Sequence, residues 1–119
     1  KATSGAVLCD HPLFDWADVP YAAPEALLGH PYSVAMDVWS IGVLLFAMLS
    51  GELPFESEDD KILVDSIRNA DFEYSADNII WPSVGDKAKE LINKLLVNAP
   101  LSRPSVKEVM RNKWITNGK

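Results

Sequence analysis

The 119-residue chain has one cysteine, Cys9. No internal disulfide can form, and zinc sites built from several thiolates are excluded. His11 and His30 are the two histidines, too few to suggest a metal centre. Basic residues are scarce: 11 Lys and Arg stand against 17 Asp and Glu, for a net charge of −6. Binding to nucleic acid or to an anionic membrane rests on clustered Lys and Arg, so neither is expected, and a basic or neutral protein partner fits better. The N-terminus lacks the basic, apolar, small-residue progression of a secretory signal, which points to a cytoplasmic address. Long apolar runs are missing too. The longest, Val38 to Leu49, covers about 12 residues, whereas a membrane-spanning helix needs roughly 20. An apolar helix of that length belongs inside a domain.

What remains is a chain with 48% hydrophobic residues and four Trp, enough for a packed body of one domain or part of one. Residues 1–23 show no sustained period, carry turn formers such as Gly5, Pro12 and Pro20, and read as a loop. Pro24 opens a short helix, Glu25 to Leu28, that Gly29 ends. Ser33 is placed to cap a long helix from Val34 to Ser50, with Gly51 as its stop. Ser57 with Asp60 predicts the next helix, to about Asn69, with Ile62, Ile67 and Leu63 on its apolar face. Residues 70–82 read as irregular. Ser83 with Asp86 then precedes Ala88, Leu91, Ile92, Leu95 and Leu96, an amphipathic spacing, and Ser105 with Glu108 precedes Val106, Val109, Met110 and Trp114. No strand pattern of comparable strength occurs, so the fold class is all-α.

Four blocks carry the chemistry: Tyr21-Ala22-Ala23-Pro24-Glu25, Asp37-Val38-Trp39-Ser40-Ile41-Gly42-Val43, Gly51-Glu52-Leu53-Pro54-Phe55 and Pro100-Leu101-Ser102-Arg103-Pro104-Ser105. In order and spacing they resemble the helical C-terminal lobe of a eukaryotic Ser/Thr protein kinase, most like the calcium/calmodulin-dependent group. The resemblance implies an activation-segment-like loop over 1–23, a helical subdomain over 24–115 and a tail over 116–119. It also implies that the glycine-rich loop, the Val-Ala-x-Lys strand, the His-Arg-Asp loop and the Asp-Phe-Gly motif lie upstream of Lys1, since none occurs in this sequence. Those elements hold ATP and magnesium and do the chemistry. No catalytic, cofactor-binding or metal-binding residue is therefore expected in this chain; ATP and magnesium belong to a complete parent domain.

The resemblance further implies a role for particular residues. Val19, Pro20, Tyr21 and Ala22 would form the shallow pocket for the residue after the phosphoacceptor, and Tyr21 favours Ser/Thr over Tyr specificity. Glu25 and Arg103 would form a buried ion pair pinning that segment to the helical lobe. Asp37 would accept backbone hydrogen bonds from the catalytic loop, and Trp39, with the surface of Ile41, Leu44 and Leu45, would form the core beneath it. Where the family has Gly-Thr this sequence has Ala17-Asp18, and an anion there would repel the catalytic carboxylate and the phosphates of ATP. Ala47 replaces an acid that several basic-substrate kinases carry. Thr3 and Ser4 fall where such kinases are phosphorylated, although small polar loop residues need no role. The Glu56, Glu58, Asp59, Asp60 cluster reads first as a dipole-matched helix start. An apolar face is expected around Asp37, Val38, Ile41 and Leu45, to be covered by the upstream half or another chain. A peptide substrate is the other expected partner, and a non-catalytic, kinase-derived binding module is the rival reading.

Overall fold

The computed structural model describes residues 16–117, with side chains from Asp18 to Thr116. Thr3, Ser4, Cys9 and His11 lie outside the described residues. Among the described residues every regular element is helical: α1 (Pro24–Leu27), α2 (Val34–Ser50), α3 (Asp60–Arg68), α4 (Asp86–Leu95), α5 (Val106–Met110) and α6 (Lys113–Asn117), with short 3-10 turns at Trp16–Tyr21, Trp81–Ser83 and Pro100–Ser102. Within the loop read over 1–23, residues 16–21 take an ordered path. There a 3-10 turn packs against α2 and α3, and Val19 within it is completely buried.

The central element is α2, because an apolar run with no polar face must be covered from several sides. It buries Val38, Trp39, Gly42, Val43, Leu45 and Phe46 and packs against α4, the Trp16–Tyr21 turn and the Pro100–Ser102 turn. Gly51 ends it in the left-handed region at φ 77° with its N–H on the Ala47 carbonyl, the conformation that glycine adopts at least cost. Ser33 occupies the N-cap position but its side chain caps nothing. Burial rather than capping holds this helix.

Two start signals are displaced. Asp59, not Ser57, caps α3: its carboxylate accepts the N–H groups of Lys61 and Ile62 at 2.9 and 3.1 Å, while the Ser57 hydroxyl accepts from Asp59 N–H. An ionised acceptor makes the stronger cap. The later start sets the phase, so α3 buries Leu63, Val64 and Ile67 and leaves Ile62 exposed. Gly85 occupies the N-cap of α4, and Ser83 instead donates to the Ile80 carbonyl to close the preceding turn. The periodic residues of α4, namely Ala88, Leu91, Ile92 and Leu95, are buried as their spacing predicts, with Leu96 beyond them. The irregular residues 70–82 carry ordered packing that periodicity misses: Phe72, Tyr74 and Trp81 enclose Phe46, with ring centroids 4.6–6.0 Å apart.

The capping box of α5 forms in both directions. Glu108 N–H donates to the Ser105 hydroxyl at 3.1 Å and Ser105 N–H to the Glu108 carboxylate at 2.8 Å. The helix breaks at Arg111–Asn112, so Val109 alone of its apolar residues is buried while Val106 and Met110 are exposed. The hydrogen bonds from Ser105 hold the Glu108 carboxyl below its ordinary pKa. A depressed carboxyl contributes stability above its unfolded pKa and loses it as pH falls through the folded value. We therefore expect the Glu108→Gln chain to lose less stability than the parent when urea unfolding is repeated at progressively lower pH below the normal carboxylate range. Equal losses would show that the box does not hold in solution.

Candidate functional site

Arg103 is the hub. Its Nη1 and Nη2 donate to the two carboxylate oxygens of Glu25 at 2.7 and 2.9 Å, a bidentate pair spanning 78 residues of sequence. The remaining donors reach the carbonyls of Val97 (2.8 Å, from Nε), Ala35 (2.9 Å) and Asn98 (3.2 Å). All five N–H donors of the guanidinium are thereby used. Its Cζ also lies 5.0 Å from the Trp39 ring centroid, and Trp39 in turn stacks on Phe55 at 5.5 Å. The side chain of Arg103 is fully buried and that of Glu25 is 7% exposed. The start of α1, the start of α2 and the 97–98 turn thus converge on one cation. The sequence points to Glu25 and Arg103; it cannot name the three carbonyls, because backbone acceptors leave no residue-type signal.

This hub fixes the segment before it. Val19 and Ala23 are buried, Pro20 and Ala22 are half-buried, and Tyr21 is 39% exposed. The Ser40 hydroxyl donates to the Tyr21 carbonyl at 3.1 Å, fastening the turn to α2. Of the four pocket residues expected by resemblance, Tyr21 is the one that faces outward most fully, and Val19 anchors from below. Asp18, at the start of the turn, is exposed.

Asp37 lies in the first turn of α2 and is exposed. It accepts a hydrogen bond from the Tyr32 hydroxyl, which holds the Tyr32 phenol above its ordinary pKa. The sequence reading gives Tyr32 no role, although its position five residues before an exposed acid is the one signal that points to it. The expected apolar face is shifted in helical phase. Val38 and Leu45 are turned into the core at 1% and 8% exposure, whereas Leu44 is 49% and Met48 77% exposed. With Asp37 and half-buried Ile41 they make one stripe, since residues three and four apart share a helix face. Leu44 thus leaves the core group in which the resemblance places it.

Among the described residues no group of three or more His, Cys, Asp or Glu is placed to hold a metal ion, and no helix is long and apolar enough to cross a membrane.

Comparison with known proteins agrees with this geometry. The family model described as "Protein kinase domain" matches residues 16–115. The chain is 38% identical over 96 residues to serine/threonine-protein kinase 33 of Mus musculus, covering 81% of this chain and 19% of that protein. It is 40% identical over 95 residues to calcium-dependent protein kinase 6 of Arabidopsis thaliana, covering 80% and 17%. With the ovarian-specific serine/threonine-protein kinase Lok of Drosophila melanogaster it shares 38% over 111 residues, covering 91% and 21%. A solved twitchin kinase region from C. elegans superposes with a TM-score of 0.76 at 31% identity, over 84% of this chain and 18% of that one. The chain spans about a fifth of the length of these relatives. The match from Trp16 to Ile115 and the helical architecture together show that the chain belongs to the protein kinase family, as helical sequence of the serine/threonine type.

Proposed function

We propose that this chain supplies the substrate-docking platform of a Ser/Thr protein kinase domain, which phosphorylates proteins from ATP when the upstream half is joined to it. The observation that carries this reading is the way the Val19–Ala22 turn is fastened: Val19 buried below, the Tyr21 carbonyl tied to Ser40, and Glu25 locked by Arg103. A short shelf held at three points and presenting Tyr21 suits a peptide backbone that must be positioned against a nucleotide. By resemblance to the kinase family, whose glycine-rich loop, catalytic Lys and Asp-Phe-Gly motif do not occur in this sequence, ATP and magnesium would be held by residues outside this chain. In an isothermal titration of the chain with Mg-ATP at millimolar concentration we expect no saturable heat; a micromolar dissociation constant would contradict the division of labour.

The direct test is a chimera in which residues 17–115 replace the corresponding segment of the Arabidopsis relative named above. We expect Tyr21→Ala in that chimera to raise the peptide KM while leaving the ATP KM unchanged. No effect on either, in a folded chimera, would remove the docking role. Asp18 favours a second reading, a kinase-like binding module without phosphotransfer, because its carboxylate stands where the family has a Thr hydroxyl. A chimera that is silent with Asp18 and active after Asp18→Thr would support that second reading.

A further inference from the structure

The carboxylates of Glu25 and Asp37 stand in opposite conditions. That of Glu25 is closed, since both of its oxygens accept from Arg103 and the side chain is buried. That of Asp37 is open. Among the described residues its one hydrogen-bond donor is the Tyr32 hydroxyl, which reaches Oδ2, and no Lys or Arg lies within ion-pairing distance. An ionised carboxylate offers about four acceptor sites, so most of this one is unused. Tyr32 is 68% exposed and Asp37 is exposed as well. On a free surface such a contact contributes little, because water competes for both groups. Its position in the fold gives it more weight.

Tyr32 lies in the short connection between α1 and α2, and both ends of that connection are tied to the Arg103 hub. His30 N–H donates to the Glu25 carbonyl at 3.1 Å, Met36 N–H to the Ser33 carbonyl at 3.0 Å, and Arg103 to the Ala35 carbonyl at 2.9 Å. The loop that carries the phenol is thus fixed on either side. Asp37 in turn begins the stripe that continues through Ile41, Leu44 and Met48 on one helix face. Whatever covers those apolar side chains also takes Asp37 out of water. A buried carboxylate is tolerated only when its oxygens are hydrogen-bonded, and a neutral phenol suits the first of those bonds. A guanidinium would take both oxygens, as Arg103 does for Glu25, and leave little for an incoming chain. The phenol also keeps its proton, because the hydrogen bond to Asp37 holds it above its ordinary pKa.

We infer that Tyr32 is a positioning residue: its hydroxyl sets the Asp37 carboxylate to receive backbone N–H groups of the upstream half of the kinase domain when that half covers the α2 stripe. The inference rests on the function proposed above, in which that half completes the enzyme. It adds the residue that prepares the joint between the two halves. In this role Tyr32 acts through Asp37 and through the catalytic-loop backbone that Asp37 would hold. Its loss should therefore lower turnover and leave substrate binding alone.

Phenolate absorbance of the 119-residue chain tests the contact first. Asp37→Asn should lower the titration of one tyrosine, and Tyr32→Phe should remove that same titration with the urea midpoint close to the parent's, as the side chain is exposed. No response to Asp37→Asn would overturn the inference at once. In the chimera, Tyr32→Phe should lower kcat by about tenfold, the scale of one hydrogen bond to a charged group, with the KM values for peptide and ATP unchanged. Asp37→Asn should lower kcat further, and Tyr32→Phe should then add nothing, because both act through one contact. Hydrogen exchange of the catalytic-loop amides, read without turnover, should be faster in Tyr32→Phe and in Asp37→Asn than in the parent chimera. An unchanged kcat from an active chimera, an unchanged exchange rate, or losses that simply add would overturn the positioning role. An inactive parent chimera would count against the proposed function alone, since exchange still decides for or against Tyr32.

Discussion

Arg103→Ala is expected to destabilise the chain by about 3–5 kcal/mol in chemical denaturation, several times the effect of a surface substitution. The loss has three parts. Glu25 is left as a buried carboxylate without its partner, three carbonyls at Ala35, Val97 and Asn98 lose their donor, and Trp39 loses the cation stacked against it. Glu25→Ala should cost less, because the guanidinium keeps those carbonyl acceptors. The double variant should then be more stable than the sum of the two single losses predicts, since it strands no buried charge. Strict additivity would mean that the pair is absent in solution. Arg103→Lys should also fail to restore stability, as an ammonium cannot bridge both oxygens of Glu25 and reach three carbonyls as well.

Gly42 carries the second large effect. It sits where α2 crosses α4, and a Cβ built there would lie 2.8 Å from Leu95 Cβ and 2.9 Å from Leu96 Cδ2. Replacing glycine by alanine inside a helix is worth up to about 1 kcal/mol in propensity, whereas overpacking a filled core costs about 1–3 kcal/mol. Crowding should win: Leu96 can rotate, but Leu95 Cβ moves only with the backbone of α4. Gly42→Ala is therefore expected to lower the denaturation midpoint, and Gly42→Val to lower it further, by about 3 kcal/mol. Gly85→Ala meets no crowding, since no atom lies within 4 Å of where its Cβ would stand and its φ is an ordinary −66°, and should lose only the preference for glycine over alanine at an N-cap, up to about 1 kcal/mol. A Gly42→Ala chain as stable as the parent would show that the α2–α4 contact is looser than these distances imply.

Signals carried by residue type at fixed spacing are legible in the sequence. The α4 stripe, the Ser105–Glu108 box and the Gly51 stop belong to that class, whereas the Glu25–Arg103 partnership, 78 residues apart, is reached only through the resemblance to the kinase family. Signals that depend on competition are not. Asp59 displaces Ser57 as a cap because both are plausible and only the backbone path selects one, and the two-residue shift then exchanges Ile62 for Val64 in the core. On α2, where almost every side chain is apolar, the pattern has no phase to read, so sequence alone puts the exposed stripe at Val38 and Leu45 instead of Leu44 and Met48. The aromatic packing of Phe72, Tyr74 and Trp81 around Phe46 has no period at all. It is tertiary, and Tyr74, pushed up to about 12 by burial, is its most perturbed group.

We propose that the exposed α2 stripe of Leu44 and Met48 is covered by the rest of a kinase domain, and maleimide labelling of single cysteines tests it most directly. In a Cys9→Ser background, Leu44→Cys and Met48→Cys should react quickly in the isolated chain, with Leu101→Cys as an exposed reference. In the chimera with the Arabidopsis upstream half, labelling at 44 and 48 should slow by at least about tenfold, as expected for groups buried under a packed interface, while the reference at 101 keeps its rate. Equal labelling rates at all three positions in a folded chimera would contradict the account.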